Sequence, residues 1–280
     1  MLGQMTILDA DSRHNMDMAP TTTPAGTQAV SRAAAVLRAV SAAAPEPVSS
    51  ARLAATIEVS RPTAHRIAGA LAAEGLLDRV ASGWLLGPEL YIMGSVAARR
   101  FDVSADAAEH LRAIARATGE SVFLSARRGD ETVCLLREEG SFPLRSMVLH
   151  EGIRFPLGVA SAGLAILSML PDPERAEFIA AVDLEPGWGA SHARGELAAR
   201  VERARIDGYA VNPGLIVEGS WGIGVAVMDG EGRPAWALSV TGVESRFRPE
   251  RQRELGRVLM AHAHDLSQRL ARPSRSSDRS

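Results

Sequence analysis

The sequence predicts an α+β protein with two folded domains, on the basis of its length, its composition and the order of its periodic segments. The chain has 280 residues, enough for two domains of roughly 150 residues that each bury a core. Hydrophobic residues make up 46% and charged residues 23%, which excludes a wholly disordered chain, a collagen and a coiled-coil rod. Helical periodicity dominates residues 28–75, whereas helices and strands are mixed from residue 104 onwards.

The two ends of the chain lack the periodicity of a helix or a strand. Residues 1–27 are rich in Met, Thr, Pro and Asp, and residues 272–280 are rich in Ser and Arg. Neither segment carries an apolar stripe that a fold could bury. We expect a disordered leader over residues 1–27 and a disordered tail over residues 272–280.

Three helices are predicted at the start of the first domain. The first begins at Gln28 and ends at the prolines of the segment APEP, because proline cannot continue the hydrogen-bond ladder. Ser49 or Ser50 is suited to cap a short second helix, and Ser60 to cap a third. The turn between the second and third helices is short, so these two helices must cross steeply.

A hairpin is predicted after the third helix. Residues 76–80 and 84–86 read as strands joined by the turn Ala81-Ser82-Gly83. Three helices followed by a two-stranded ribbon are the outline of a winged helix-turn-helix, a fold that usually binds duplex DNA. We assign this domain to residues 28–87.

The third helix presents a face that is compatible with a DNA groove. Pro62, His65, Arg66 and Gly69 lie opposite its apolar positions when successive residues are placed about 100° apart. Arg66 can bond guanine or a phosphate, and Gly69 removes bulk where the backbone would approach the duplex. Each arginine taken alone is more typical of a solvated surface charge, and only their shared position favours DNA. The residues predicted to bind DNA are Arg52, Ser60, Arg61, Pro62, Thr63, His65, Arg66, Gly69 and Arg79.

The charge distribution is compatible with that partner without requiring it. All 31 basic residues are arginine, and the formal net charge of the chain is -2. Residues 28–100 carry eight arginines against five acidic residues. This modest excess permits a polyanion partner but does not by itself indicate one.

A linker and a second domain complete the predicted organisation. Residues 88–103 are expected to form a linker helix that acts as a spacer or a dimer contact, and residues 104–271 to form the second domain. Its predicted helices begin near residues 104, 161, 173, 194 and 249, and its predicted strands cover residues 121–125, 132–137, 144–149, 223–228 and 235–241.

Several segments resemble the IclR family of bacterial transcription regulators. In the first domain they are VSRAAAVLRAV, LAATIEVSRPTAHRIAGALAAEGLL and WLLGPEL. In the second domain they are FPLGVASAGLAIL, DGYAVNPG and GIGVAVMDGEGRPAWALSVTG. The resemblance extends over residues 28–270 and is more specific in the first domain than in the second.

The resemblance implies a winged helix-turn-helix joined by a linker helix to a GAF-like effector-binding domain. It further implies homodimers or homotetramers on double-stranded operator DNA, and a small-molecule effector that is often an organic or aromatic acid. Carried over by motif, the effector-binding residues are Leu144, Met147, Ser161, Ala162, Gly222, Ser239 and Thr241. Serine and threonine hydroxyls beside free amides at a helix start suit a carboxylate.

Two positions depart from the family pattern. Gly158 stands where a histidine is common, and Leu164 stands where a lysine is common. These differences leave the charge and size of the ligand open.

Other chemistries are disfavoured by residue spacing. Ser161 lacks the G-x-S-x-G spacing of a nucleophile elbow, and no glycine-rich dinucleotide fingerprint precedes a helix. His262 and His264 lie on different faces of one helix, and the position of His262 on the apolar stripe predicts a core histidine. The single cysteine, Cys134, excludes a disulfide framework and is expected to be a buried strand residue. We therefore expect no enzyme, no cofactor and no metal site.

One alternative function and one cellular location complete the expectations. Winged helices also join proteins, so a protein-interaction module without operator DNA is the alternative to a DNA-binding regulator. The chain has no apolar run near the ~20 residues that a membrane span needs, and no signal peptide pattern. We expect a cytoplasmic protein without a membrane partner.

Overall fold

Residues 27–98, 103–144 and 148–272 are described by the computed structural model of the chain, in two units that divide after residue 101. Residues 1–26 of the predicted leader, the tail from residue 273, residues 99–102 of the linker region and Met147 lie outside the described residues. Among the described residues, no helix combines the length and the apolar character needed to cross a membrane.

Unit 1 has the order that the sequence predicts. Its elements are α1 (Gln28–Ala43), α2 (Ser50–Thr56), α3 (Arg61–Ala73), β1 (Leu77–Val80), β2 (Gly83–Leu86) and α4 (Pro88–Ala98). Strands β1 and β2 form an antiparallel hairpin. The winged helix-turn-helix is thus confirmed, because three helices and a two-stranded wing enclose one core that contains Val36, Leu53, Ala64, Leu71 and Trp84.

Serine caps set the starts of two helices in unit 1. The Ser49 hydroxyl accepts a hydrogen bond from the backbone amide of Arg52 at 3.2 Å, so Ser49 rather than Ser50 caps α2. The Ser60 hydroxyl accepts the amide of Thr63 at 3.4 Å at the start of α3. Pro62 fits the first turn of α3, where its missing N–H is not needed.

Unit 2 is built on one antiparallel sheet of six strands. In chain order its elements are α5 (Val103–Thr118), β3 (Ser121–Arg128), β4 (Glu131–Glu138), β5 (Arg154–Pro156), α6 (Ser161–Met169), α7 (Asp172–Ala181), α8 (Glu185–Trp188), the 3-10 turn Ala190–His192, α9 (Arg194–Asp207), β6 (Ala210–Pro213), β7 (Ser220–Met228), β8 (Pro234–Val243), the 3-10 turn Glu244–Arg246 and α10 (Pro249–Leu270). The strands lie side by side in the order β5-β4-β3-β8-β7-β6.

Each face of the sheet is covered by a helical layer with its own core. Helices α5 and α10 cover one face, where Leu238 and Val240 of β8 are buried. Helices α6 and α9 belong to the other layer, where Ala237 of the same strand is buried. Because side chains alternate along a strand, Ser239 and Thr241 face the α6 layer together with Ala237.

Small residues let α6 approach the sheet closely. A Cβ atom on Gly224 of β7 would lie 2.6 Å from the carbonyl oxygen of Ser161, at the start of α6. A Cβ on Gly222 would lie 3.0 Å from the Ser161 hydroxyl. The first turn of α6 therefore rests on the backbone of β7, and this contact brings Ser161 beside β7 and β8.

The predicted strand over residues 144–149 is wrong for the described residues of that segment. Leu144, Val148 and Leu149 lie outside any strand, and Leu144 is exposed. The place beside β4 is instead taken by β5, through pairs such as Thr132 with Phe155. Pro143 also removes a backbone donor just before the expected strand.

Candidate functional site

The exposed face of α3 carries the residues expected to bind DNA. Arg61, Pro62, His65 and Arg66 are exposed, whereas Thr63 and Gly69 are half-buried. The opposite face buries Ala64, Ala68 and Leu71 in the core of unit 1. The burial of one face thus leaves the arginine-bearing face of the helix accessible.

A tight turn between α2 and α3 fixes the start of α3. Glu58 adopts a left-handed conformation with φ 52°, which reverses the chain after α2 within a few residues. The Ser60 hydroxyl lies 2.8 Å from that of Thr63, in addition to capping the helix. Thr63 is therefore held by the cap.

A hydrogen-bonded cluster joins α3 to the wing. The Ser50 hydroxyl lies 3.1 Å from His65 Nδ1 and accepts the indole N–H of Trp84 at 3.0 Å. The His65 and Trp84 rings meet edge to face with centroids 5.5 Å apart, and the Arg79 guanidinium lies 5.6 Å from the Trp84 ring centroid. Trp84 thus contacts both His65 of α3 and Arg79 of β1.

A groove of about 510 Å³ runs between the start of α3 and the wing. Its lining includes Arg61, Pro62 and His65 from α3, and Arg79 from β1. Ser82 at the wing turn also lines it, as does Ser49, which the sequence identified only as a possible helix cap. The groove therefore collects two arginines and several hydroxyl groups, which are groups that bond phosphates.

The arginines of this surface have no carboxylate partner. Among the described residues of unit 1, Arg52, Arg61, Arg66 and Arg79 are all exposed, and none forms an ion pair. An unpaired guanidinium in solvent keeps its donors available for an anionic partner. The α3 face and the adjacent wing therefore form a basic surface whose arginines are not paired with carboxylate side chains.

Unit 2 contains a small cavity of about 20 Å³ between the start of α6 and the sheet. It is lined by Val148, Leu149, Ala160, Ser161, Asn212, Ile216, Ser220, Trp221, Gly222 and Thr241. The structure thus brings together Ser161, Gly222 and Thr241 of the predicted effector residues. A volume of this size holds about one water molecule.

Two buried hydroxyl groups near this cavity have no hydrogen-bond partner among the residues that the structure describes. They belong to Thr241, which lines the cavity, and to Ser239, which is fully buried two residues earlier on β8. Buried polar groups are normally hydrogen-bonded. The first-turn amides of α6 also lack a side-chain cap, because the N-cap residue is Ala160. Both features offer donors to an acidic ligand.

The other predicted effector residues lie outside the cavity lining. Ala162 is buried in α6, and Leu144 is 63% exposed in the loop before residue 148. Met147 lies outside the described residues.

Asn212 is a polar lining residue that the sequence did not single out. Its amide nitrogen donates to the carbonyl of Val159 at 2.7 Å, and its side-chain oxygen accepts the amide of Leu215 at 3.0 Å. These bonds hold the segment before α6 against β6. Asn212 lies in the segment DGYAVNPG, but nothing in its spacing indicated a place in the cavity.

Two other polar features of unit 2 are structural. His262 Nδ1 lies 2.9 Å from Nδ1 of His110, which agrees with a core histidine. Burial raises the pKa of the Cys134 thiol to about 12, so this side chain stays protonated and unreactive. Within the described ranges, no cluster of three or more His, Cys, Asp or Glu residues could hold a metal ion.

Both units match known protein families. Residues 29–81 match the IclR helix-turn-helix domain, and residues 95–268 match the C-terminal domain of bacterial transcriptional regulators of the IclR type. The chain is 33% identical over 239 residues to the HTH-type transcriptional regulator Rv1719 of Mycobacterium tuberculosis, an alignment that covers 84% of this chain and 90% of the relative.

Solved structures of similar proteins have the same fold. The IclR protein of Thermotoga maritima aligns with a TM-score of 0.68 and 28% identity, covering 87% of this chain and 98% of that one. An IclR homolog of Microbacterium hydrocarbonoxydans, solved with 4-hydroxybenzoate, aligns with a TM-score of 0.69 and 22% identity, covering 86% and 98%.

Proposed function

The chain belongs to the IclR family of bacterial transcriptional regulators, and on that premise we propose which of its surfaces bind DNA and effector. It is a DNA-binding regulator and not an enzyme, as the matched families are transcriptional regulators. This identity favours DNA binding over the alternative of a protein-interaction module. A protein that acts on bacterial DNA works in the cytoplasm, so we propose that location.

Helix α3 is the element proposed to enter the major groove of operator DNA. The unpaired, exposed arginines on this helix and on the wing carry the proposal, because they can bond phosphates and guanine edges without first breaking an ion pair. We propose that Arg66, which is exposed on α3, reads a base, and that Arg61 and Arg79, which line the groove beside the wing, bond phosphates.

A double variant tests this assignment. Removing both guanidinium groups with Arg61→Ala/Arg66→Ala is expected to weaken operator binding by at least tenfold, since a single bidentate base contact is worth about 1 to 3 kcal/mol. Fluorescence anisotropy at fixed salt concentration measures the change. The control is Arg38→Ala, which removes an exposed arginine from α1 instead. Equal affinity of the double variant and the control for operator DNA would reject α3 as the reading helix.

The cavity of unit 2 is proposed to bind the carboxylate of a small organic or aromatic acid. The partnerless hydroxyl of Thr241 carries this proposal, supported by the uncapped start of α6 opposite it. The 4-hydroxybenzoate bound by the homolog of Microbacterium hydrocarbonoxydans belongs to this class of ligand. Because the cavity has the volume of about one water molecule, such a ligand must enlarge it.

A pair of ligands that differ only in charge tests this site. We expect 4-hydroxybenzoate, but not its neutral amide, to raise the unfolding temperature of the full chain. Thr241→Val removes the hydroxyl with little change in shape and is expected to abolish the difference. Ser168→Ala is the control, because its buried hydroxyl bonds the Ala165 carbonyl at 2.8 Å elsewhere on α6. A response that survives Thr241→Val would place the acid elsewhere.

The linker helix α4 is proposed to join two copies of the chain in a homodimer, the smaller of the assemblies that the family resemblance implies. Tyr91 is 80% exposed and Val96 64% exposed on this helix, and Ile92 and Met93 are also more than half exposed. Apolar surface of this kind is typical of protein contacts. Sedimentation equilibrium is expected to show dissociation in Tyr91→Glu/Val96→Glu, and an unchanged mass would reject α4 as the contact.

A further inference from the structure

An arginine is buried on the inner face of α9 in unit 2. Arg200 has only 7% of its surface exposed, on a helix that also buries Leu197, Val201 and Ala204. This helix packs on α6, α7, β6 and the 3-10 turn Ala190–His192. The guanidinium is thus enclosed by the layer that covers one face of the sheet.

Among the described residues, no side chain forms a hydrogen bond or an ion pair with Arg200. None of its three guanidinium nitrogens has a hydrogen-bond partner in the structure. Glu196, one turn earlier on α9, is exposed and acts on Arg200 only through space. Arginine remains protonated in proteins, and buried charges are ordinarily paired because desolvation is costly. A partner from outside the chain is therefore expected.

A second unpaired group lies in the turn before α9. His192 is 1% exposed, and its Nδ1 lies 2.9 Å from the carbonyl oxygen of Trp188, so Nδ1 carries the proton of that bond. Its Nε2 has no hydrogen-bond partner. Burial first, and then the positive charge of Arg200, lower the pKa of His192, so the ring is neutral at pH 7. The Trp188 and Val159 carbonyls act in the opposite direction.

We propose that Arg200 forms a buried binding site for a small planar monoanion, either a carboxylate or an inorganic oxyanion of similar size. The neutral His192 in the adjoining turn adds no charge to this site and, with Nε2 unprotonated, no donor. A planar guanidinium matches two oxygens of such an ion with two parallel hydrogen bonds. One negative charge balances Arg200 beside a neutral His192, whereas a dianion would leave an uncompensated charge in the core. The site is distinct from the effector cavity, because neither residue lines that cavity.

Thermal unfolding of the full chain in three sodium salts tests the site. Formate is the small carboxylate, nitrate is the small inorganic oxyanion, and gluconate is a bulky carboxylate of equal charge that keeps the ionic strength constant. At about ten times its dissociation constant, formate or nitrate is expected to raise the unfolding midpoint by about 3 to 6 °C relative to gluconate. A response to both ions indicates any small planar oxyanion, and a response to formate alone indicates a carboxylate.

Four variants separate this site from the rest of the molecule. Arg200→Met keeps the length of the side chain but removes its charge, so it is expected to abolish the difference between the small ions and gluconate. Arg200→Gln is expected to do the same if the methionine variant fails to fold. Arg203→Gln, at an exposed position of the same helix, and Thr241→Val, in the effector cavity, are expected to keep the full response.

Two outcomes would overturn the proposal. One is an equal unfolding midpoint of the wild-type chain in formate, nitrate and gluconate. The other is a response to formate or nitrate that persists in the Arg200 variants. One form of this outcome is a response that persists in the Arg200 variants but is lost in Thr241→Val. That last case would assign the anion to the effector cavity and leave the function proposed for that cavity intact.

Discussion

At the scale of single residues, His65 is a proposed DNA contact that is also tied into the fold. The sequence placed it on the outward face of α3, and it does line the groove beside the wing. Its ring is also held by Ser50 and by the edge of Trp84. His65 therefore positions the wing against α3, a role that helical periodicity could not reveal because both partners come from other elements.

Gly158 lies where the structure leaves little room for a side chain. Its φ of 89° lies in the left-handed region, and a Cβ atom there would lie 2.6 Å from Cδ1 of Leu197. A side chain would be strained by the backbone and crowded by α9.

Substitution of Gly158 is expected to destabilise unit 2. Gly158→Ala should lower the free energy of unfolding by about 1 to 3 kcal/mol, from backbone strain and overpacking together. Gly129→Ala serves as the control. Gly129 also has a positive φ, 61°, but a Cβ added there would meet no atom within 4 Å, so this variant measures backbone strain without overpacking. Chemical denaturation of both variants measures the difference, and equal losses would show that Leu197 does not restrict the site.

The pair His110 and His262 makes the stability of unit 2 sensitive to acid. Burial lowers the pKa of both rings, with further lowering by Arg269 at His110 and by His110 at His262. The unfolded chain, with ordinary histidine pKa values near 6.5, therefore binds more protons than the folded chain in mild acid. Stability contributed by the neutral pair is present above that pKa and declines as the pH falls below it.

A pH series with a matched control measures this effect. We expect the free energy of unfolding to fall between pH 7 and pH 5, and to fall less in His262→Gln. His264→Gln, at an exposed position of the same helix, should retain the wild-type dependence. An identical slope in the His262 variant would show that acid acts on other groups.

At the scale of elements, the caps and the edges of the sheet explain what sequence could and could not predict. Serine caps, proline stops and apolar stripes are local signals, so α1, α2, α3 and the wing follow from the sequence. Strands β5 and β6 were missed because they have three and four residues and each ends in proline. Both are edge strands of the sheet, where proline is tolerated.

The lining of the cavity in unit 2 was predictable only in part, because local sequence signals do not reveal tertiary contacts. Ser161 and Gly222 were identified through family motifs, and both line it. Val148, Asn212 and Trp221 come from separate segments that only the folded sheet brings together. No local period marks such residues, because the contact depends on tertiary packing.

The start of α3 depends on a single serine. Ser60→Ala removes the acceptor for the Thr63 amide and is expected to cost about 1 kcal/mol of stability in unit 1. It also frees the Thr63 hydroxyl from its partner at 2.8 Å, so operator affinity should fall as well. Ser31→Ala in α1 is the control, and thermal unfolding with anisotropy measures both effects. A variant as stable as this control would show that the cap contributes little.

At the scale of the whole molecule, effector binding and DNA binding are expected to be linked. If an acid in the cavity changes operator affinity by some factor, operator DNA must change the affinity for that acid by the same factor, typically 5- to 150-fold, or about 1 to 3 kcal/mol. Titration calorimetry with 4-hydroxybenzoate, with and without operator DNA, measures one side of this cycle. Anisotropy with and without 4-hydroxybenzoate measures the other, and unequal factors at equilibrium would contradict a two-state linkage.

The close seat of α6 on the glycines of β7 leaves the resting cavity no larger than about one water molecule. If an aromatic acid binds here, as proposed, we expect each association to require that the α6 layer first move away from the sheet. In a stopped-flow mixing experiment the observed association rate would then level off as ligand concentration rises, at a ceiling equal to the opening rate. The response time, as well as the affinity, would then depend on Gly222 and Gly224, which let α6 lie so close to β7.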